Sequence, residues 1–316
     1  MTDEPISAEA AATADGHVPG LGIALGSGSA RGWAHIGVLR ALEELDIEPH
    51  FVAGCSIGAL VGAAWAAQRL DALEEWARDM DWWQILRFVD FRAGALVAGD
   101  RLLQAFAERI GNPRIEDLPR RFACVATDLA QGREVWFQEG SLLAAVRASI
   151  ALPGILHPVA GGSGWLVDGG LVNPVPVSLA RAQGATRVIA VNLNGDLVGR
   201  YLLRRRARAP RLLEPFAQRL QGLLGRDDTD EDGDAPPASP PSLFEIVVSS
   251  MNVMQDRITR SRMAGDPPDV LLAPRLGHLA LLDFHRAEEA IAIGRLAVEH
   301  NRAALLDLVG RPLEEE

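Results

Sequence analysis

The chain predicts an α/β fold on a central, mostly parallel sheet, and three observations predict it. Short apolar runs alternate with segments whose apolar residues recur at helical spacing. The first two runs, Leu21–Leu25 and Phe51–Ala53, are joined through a loop and one helix. That order makes a βαβ unit of about thirty residues, with parallel strands and a right-handed crossover. Finally, 316 residues with 48% hydrophobic content suffice to bury a large core, enough for one large α/β domain with an appendage.

Taken in order, Leu21–Leu25 is a strand that ends in the small-residue loop Gly26-Ser27-Gly28-Ser29-Ala30-Arg31-Gly32. Val38, Leu42 and Leu45 then recur at helical spacing until Glu48-Pro49-His50 closes the helix. Phe51 opens the second strand, and Gly54-Cys55-Ser56-Ile57-Gly58 stands between it and the helix Ala59–Trp65. Ligands gather outside the carboxyl ends of parallel strands, so the loop after Leu25 and the turn at Ser56 are expected to face one crevice. Helical patterning covers Asp71–Ile110, where Trp76, Trp82 and Trp83 supply bulk for core or pocket wall. Arg121–Ala126 and Arg133–Phe137 read as strands joined by a turn at Asp128–Gly132. A helix Leu142–Ile150 stops at Pro153-Gly154, and the strand Trp165–Val167 ends in Asp168-Gly169-Gly170. Helix Val175–Gln183 and strand Arg187–Leu193 follow.

Composition divides the chain into four parts. Residues 1–20 are acidic and alanine-rich, with no basic or continuous apolar region, and read as a disordered tail rather than a signal peptide. Residues 21–194 form the core. Residues 195–242 combine the arginine–leucine run Arg200–Gly225, the acidic Asp227–Asp234 and a proline-rich tract, and read as a variable, partly disordered insertion or linker. Residues 243–316 complete the same domain with a helix Ser242–Met263, a short strand Val270–Ala273 and a final helix Phe284–Leu308.

A net charge of −11 argues against nucleic acid as the main partner, because phosphates need a basic face. The two cysteines, Cys55 and Cys124, lie in apolar runs as buried thiols do, and are too few for a zinc cluster or disulfide framework. No metal and no cofactor is expected. Phe51–Gln68 is uncharged and long, yet its Gly54, Ser56 and Gly58 make it a buried strand, turn and helix rather than a membrane span. The expected location is cytoplasmic, with room for peripheral contact at the inner membrane face.

Gly54-x-Ser56-x-Gly58 between strand and helix is the nucleophile-elbow pattern, in which glycines relieve crowding two residues either side of the serine. A small-residue crossing of helix and strand accounts for the same pattern without chemistry. Serine attacks esters only where something accepts its proton and something stabilises the oxyanion. Ser27-Gly28-Ser29-Ala30 runs into a helix N-terminus, where successive backbone N–H groups converge as in anion-binding nests. Arg31, with Gly32, is a candidate to support that loop, and a solvated arginine accounts for Arg31 equally well. Two routes supply a base. One uses a histidine among His157, His278, His285 and His300; the other uses Asp168, which ends an apolar strand and is followed by Gly169 and Gly170. Burial beside Leu166 and Val167 would push the Asp168 carboxyl upward and improve it as a base. By itself, Asp168-Gly169-Gly170 also fits a turn whose carboxylate caps its own backbone.

Together these pieces resemble the patatin-like phospholipase family, bacterial branch, in which a glycine-rich loop, a Gly-x-Ser-x-Gly serine and an Asp-Gly-Gly aspartate form a Ser-Asp site. Arg31-Gly32-Trp33-Ala34-His35-Ile36-Gly37-Val38-Leu39 is similar to the family's loop-to-helix segment, and Leu282-Asp283-Phe284-His285-Arg286-Ala287 to the late region of its bacterial members. The resemblance covers roughly 21–193 and, less specifically, 243–308. It implies a three-layer α/β/α fold, Ser56 as nucleophile, Asp168 as proton acceptor and the Gly28 neighbourhood as oxyanion hole. The implied reaction hydrolyses acyl ester bonds of lipids such as lysophospholipids or phospholipids through an acyl-serine. One departure stands out: Ser27-Gly28-Ser29 replaces three consecutive glycines, and a left-handed backbone at either serine costs about 1 to 2 kcal/mol.

Two other readings stay open. Gly26-x-Gly28-x-x-x-Gly32 fits a variant dinucleotide fingerprint, although Gly54-Cys55-Ser56 occupies the place of the ribose-binding acid. The fold also serves as a non-catalytic or regulatory module. Arg200–Arg226 reads either as a helix on anionic lipid or as a linker neutralised by Asp227–Asp234. Trp82, Trp83, Leu152 and Ile155 are candidates for the pocket wall.

Overall fold

The computed structural model describes residues 20–81, 99–161, 164–197 and 243–312. The acidic tail, Trp82, Trp83 and the arginine run of the insertion lie outside the described residues.

Alternation within the strands sets the layers, because successive side chains point to opposite faces of a sheet. In β1 (Leu21–Leu25), Leu21, Ile23 and Leu25 turn to one face and Ala24 to the other. β2 (Phe51–Cys55) sets Val52 against Ala53 and Cys55, and β7 (Arg187–Val191) sets Ile189 and Val191 against Val188 and Ala190. The bulky face carries most of the helices. These are α1 (Ala34–Glu44), α2 (Ile57–Ala66), α3 (Leu70–Asp79), α4 (Gly99–Ile110), α5 (Leu142–Ser149), α8 (Ala287–Glu299) and α9 (Arg302–Leu308). The alanine-rich face takes α6 (Val177–Ala182) and Met263 of α7 (Leu243–Gly265). A three-layer α/β/α arrangement results, with both sheet faces covered as a parallel sheet requires.

The remaining strands are β3 (Arg121–Asp128), β4 (Arg133–Phe137), β5 (Val159–Gly161), β6 (Gly164–Asp168) and β8 (Val270–Leu272). The eight-stranded sheet runs β5-β6-β3-β2-β1-β7-β8, with β4 also on β3. β3, β2, β1, β7 and β8 are parallel, whereas β4 and β6 are antiparallel to β3. Register positions the site. Ala126 pairs with Val135 of β4 and with Asp168 of β6, while Val125 pairs with Trp136 of β4 and with Cys55 of β2. Since β4 occupies one edge of β3 from Cys124 to Asp128, β2 and β6 share the other edge and meet tip to tip. Ser56, one step beyond Cys55, is thereby brought to Asp168. Leu25 pairs with Gly54, so the loop after β1 and the turn after β2 open at the same sheet edge.

Differences from the sequence expectations have local causes. The final helix is not continuous: a 3-10 turn (Phe284–Arg286) precedes α8, and α8 and α9 break where Asn301 Nδ2 donates to Ala297 O, 2.7 Å away. The break lets Leu305 and Leu306 turn inward. The helical pattern of 71–110 is interrupted after α3, where Met80 is extended (ψ 106°). β3 continues to Asp128, whose Oδ1 accepts the N–H groups of Ala130 and Gln131 and closes the hairpin. The unexpected strand β5 pairs with β6 through Gly161 and Gly164.

α1 and α8 cross at reciprocal glycines. A Cβ on Gly37 would lie 1.9 Å from Ile291 O, and one on Gly294 would lie 2.0 Å from Ala34 O. This contact of backbones ties the late helices to the segment that follows the glycine-containing loop.

Candidate active site

Ser56 terminates β2 and caps α2 with φ 55° and ψ −125°. A non-glycine residue in this region stores about 1 to 3 kcal/mol, and only a tightly constrained turn holds it there. Gly54 and Gly58 make the turn feasible: a Cβ on Gly54 would lie 2.4 Å from Ala59 Cα, and one on Gly58 would lie 2.1 Å from Leu25 O. The Ser56 N–H donates to Ser149 Oγ at 2.9 Å, and the Ser149 hydroxyl donates to Val125 O at 2.7 Å. Ser149 sits at the last position of α5, is fully buried and stitches the elbow to β3.

Asp168 is held by nearly every polar atom it has. Its N–H donates to Ala151 O (2.9 Å), and its C=O accepts from Thr127 Oγ1 (2.8 Å). Oδ1 accepts the Gly170 N–H at 2.7 Å, while Oδ2 accepts from the Ser56 hydroxyl at 2.5 Å. One carboxylate thus caps its own turn and meets the serine at once. A Cβ on Gly169 would lie 2.3 Å from Val125 O, which accounts for the glycine after the aspartate. Asp168 is 1% exposed, and burial pushes its carboxyl up to about 6, against the opposing donors Ser56 and Gly170.

The loop after β1 is bound on all sides. The Ser27 N–H donates to Pro174 O (2.8 Å) and the Ala30 N–H to Leu281 O (3.2 Å). Among the described residues, the amides of Gly28 and Ser29 have no acceptor, and both residues line the same cavity as Ser56 and Asp168. Arg31 is 3% exposed and donates from Nε to Gly28 O at 3.0 Å. A Cβ on Gly32 would lie 2.0 Å from Ile57 Cγ1, so its absence lets the residue after Ser56 seat against the loop. His35, kept neutral because burial draws its pKa down to about 4, donates from Nε2 to Gly26 O at 2.8 Å.

The two serines that replace glycines are both employed. The Ser27 hydroxyl donates to Gln255 Oε1 (3.3 Å), and the Ser29 hydroxyl to Leu281 O (2.7 Å). Ser29 adopts φ 51°, and its bond to Leu281 helps offset the cost of that angle. Trp33 Nε1 donates to Phe284 O at 3.1 Å, so the 281–284 segment braces the loop from outside. Sequence reasoning missed Ser149, Gln255, the Leu281 carbonyl and Asn194, whose Nδ2 donates to Gln255 Oε1 at 3.1 Å. Their partners lie far off along the chain, and no local pattern marks them.

The cavity above Ser56 and Asp168 is mainly apolar, with Trp33, Trp76, Leu152, Ile155, Leu156 and Met251 in its wall. Trp33 packs edge-on against Trp76 and Phe284, with ring centroids 6.2 and 6.0 Å away. None of His157, His278, His285 and His300 lines the cavity; His278 instead pairs with Glu289 at 2.7 Å. Cys55 and Cys124 are buried, and burial pushes both thiols up, away from reactivity. Among the described residues, no group of three His, Cys, Asp or Glu side chains is placed to hold a metal ion, and no helix is long and apolar enough to cross a membrane.

Ser149→Ala is expected to lower stability by about 2 to 4 kcal/mol, because it strands the buried Ser56 N–H and Val125 C=O. Urea unfolding measures it, and a midpoint equal to wild type would remove Ser149 as the stitch.

Sheet order, elbow and brace together define an α/β protein with a serine presented at a strand-to-helix turn beneath an apolar cavity. The chain belongs to the patatin-like phospholipase family, whose sequence model matches residues 23–181. It is 35% identical over 324 residues to an uncharacterized NTE family protein of Mycobacterium tuberculosis, covering 88% of this chain and 89% of that one. It is also 32% identical over 185 residues to the neuropathy target esterase sws of Drosophila melanogaster, covering 56% of this chain and 13% of that protein. Similarity to lysophospholipase NTE1 of Pyricularia oryzae is 28% identity over 285 residues, 87% of this chain and 18% of that protein.

Proposed function

We propose that the protein is a serine esterase that hydrolyses acyl ester bonds of lipids of the lysophospholipid or phospholipid kind, with Ser56 as nucleophile and Asp168 as proton acceptor. The observation that carries this is the 2.5 Å bond from the Ser56 hydroxyl to Asp168 Oδ2 at the floor of an apolar cavity. The names of two relatives, an esterase and a lysophospholipase, agree with it.

In the first half-reaction Ser56 Oγ attacks the ester carbonyl carbon while its proton passes to Asp168 Oδ2. The carbonyl oxygen becomes an oxyanion, and the free amides of Gly28 and Ser29 are its donors, aided by the positive end of α2 behind Ser56. Collapse expels the alcohol, which takes the proton from Asp168, and leaves acyl-Ser56. In the second half-reaction Asp168 takes a proton from water, the hydroxide oxygen bonds to the acyl carbon, and collapse releases the fatty acid as Ser56 regains its proton. A carboxyl near 6 suits both duties, being ionised at neutral pH yet basic enough to accept a proton.

Side chains from both 21–194 and 243–316 line the cavity, which supports one catalytic domain split by the insertion. Substrates of this kind reside in membranes, so contact with a membrane face belongs to the proposal, with the cytoplasm as its setting.

Ser56→Ala is expected to abolish labelling by a fluorophosphonate probe and turnover of a p-nitrophenyl ester. Labelling that persists undiminished in the variant removes Ser56 as nucleophile. Wild-type turnover no faster than that of the variant favours a non-catalytic module instead.

A further inference from the structure

One wall of the cavity is not apolar. Asn252 and Gln255 stand three residues apart on α7, hence on one helical face, and both line the cavity although they are only 8% and 7% exposed. The Gln255 carboxamide is oriented. Its Oε1 accepts from the Ser27 hydroxyl at 3.3 Å and from Asn194 Nδ2 at 3.1 Å, so its NH2 end points away from that pair. A Cβ placed on Gly170 would lie 2.6 Å from Gln255 Nε2 and 2.9 Å from Asp168 Oδ1, which sets the amide beside the acid's own turn. Among the described residues, Nε2 of Gln255 meets no acceptor, and the Asn252 carboxamide makes no hydrogen bond.

Neither carboxamide is sealed from the cavity, and a few polar groups on the wall of a mainly apolar cavity are what fixes the orientation of a bound ligand. The other polar groups of the lining are engaged: Ser27 and Ser29 through their hydroxyls, Arg31 with Gly28 O, and Ser56 with Asp168. We infer that Asn252 and Gln255 form a subsite for the alcohol half of the ester, selecting alcohols that carry a hydroxyl next to the scissile bond. The inference rests on the lipid-ester reading and specifies its substrate. The chemistry follows from the group type. A carboxamide both donates and accepts, so two of them on one helical face satisfy a hydroxyl in either role, whereas a plain alkyl alcohol leaves both amides unpaired. The apolar wall takes the acyl chain and leaves the polar end of the lipid to α7.

The test is binding to the Ser56→Ala protein, which lacks the attacking group, followed through Trp33 and Trp76 fluorescence. 1-O-Decylglycerol is expected to bind about tenfold more tightly than decan-1-ol, one well-placed hydrogen bond's worth of selectivity. Asn252→Leu and Gln255→Glu are each expected to shrink that preference to about threefold or less; the Glu keeps the shape but loses the donor. Equal affinity for the two ligands, no binding of either, or a preference that survives both substitutions overturns the subsite. These outcomes need no turnover, so failure here differs from failure of Ser56 and Asp168 as the reacting pair, which probe labelling reports.

Discussion

Asp168→Asn is expected to lower Ser56-dependent ester hydrolysis by about 10³- to 10⁴-fold while making the protein more stable at neutral pH. Activity falls because an amide cannot accept the serine proton. Stability rises because Asp168 takes up its proton near 6 in the folded protein and near 3.8 in the unfolded chain. The unfolded chain therefore releases that proton first as pH rises, and the native state loses about 3 kcal/mol between roughly pH 4 and pH 6. An asparagine has no proton to lose. The variant should exceed wild type by up to about 3 kcal/mol at pH 7.5, and the gain should vanish below pH 4. Urea unfolding at both values reads it. The same ionisation governs rate: wild-type kcat/KM should rise about tenfold per pH unit up to a midpoint near 6 and then level off. An acidic limb centred near pH 4, or a variant destabilised at pH 7.5, contradicts the buried-base assignment.

Gly58→Ala carries the second large effect. The added Cβ would stand 2.1 Å from Leu25 O, 2.6 Å from Leu25 C and 2.7 Å from Gly26 O, all backbone atoms that cannot rotate away. α2 must move off β1, and Ser56 moves with it. A displacement of about 1 Å in a reacting group costs on the order of 10²-fold in rate, and overpacking of this sort costs about 1 to 3 kcal/mol or more in stability. Gly62→Ala in the same helix is the control. Its Cβ would meet only side chains, nearest Val52 Cγ1 at 3.0 Å, so a mild effect is expected there. Comparable kcat/KM losses in the two variants would show that the elbow is not specifically crowded.

Much of the fold was legible because its signals are local. A parallel sheet buried on both faces leaves continuous apolar runs such as Leu21–Leu25 and Val188–Val191, and the intervening helices repeat at their own period. Gly54 and Gly58 were legible because an L side chain collides with backbone at those positions. Less legible was the path of the late chain. Apolar spacing continues from Phe284 to Leu308, and only the side-chain bond of Asn301 reveals the break between α8 and α9. Ser27 and Ser29 read as losses of glycine from a loop; their use depends on partners 228 and 252 residues away.

By itself the sequence determined the candidate residues and how each is mounted: a serine on a glycine-flanked turn, an acid at the end of an apolar strand, a small-residue loop before a helix. Those properties depend on neighbours within a few positions. Only the tertiary structure decided that β6 runs antiparallel into the same edge of β3 that β2 occupies, and so which acid meets Ser56. It also decided which loop amides stay free and which carboxamides face the cavity. Hydrogen bonds reach about 3 Å, so such choices turn on strand register and helix placement, which no short stretch of chain encodes.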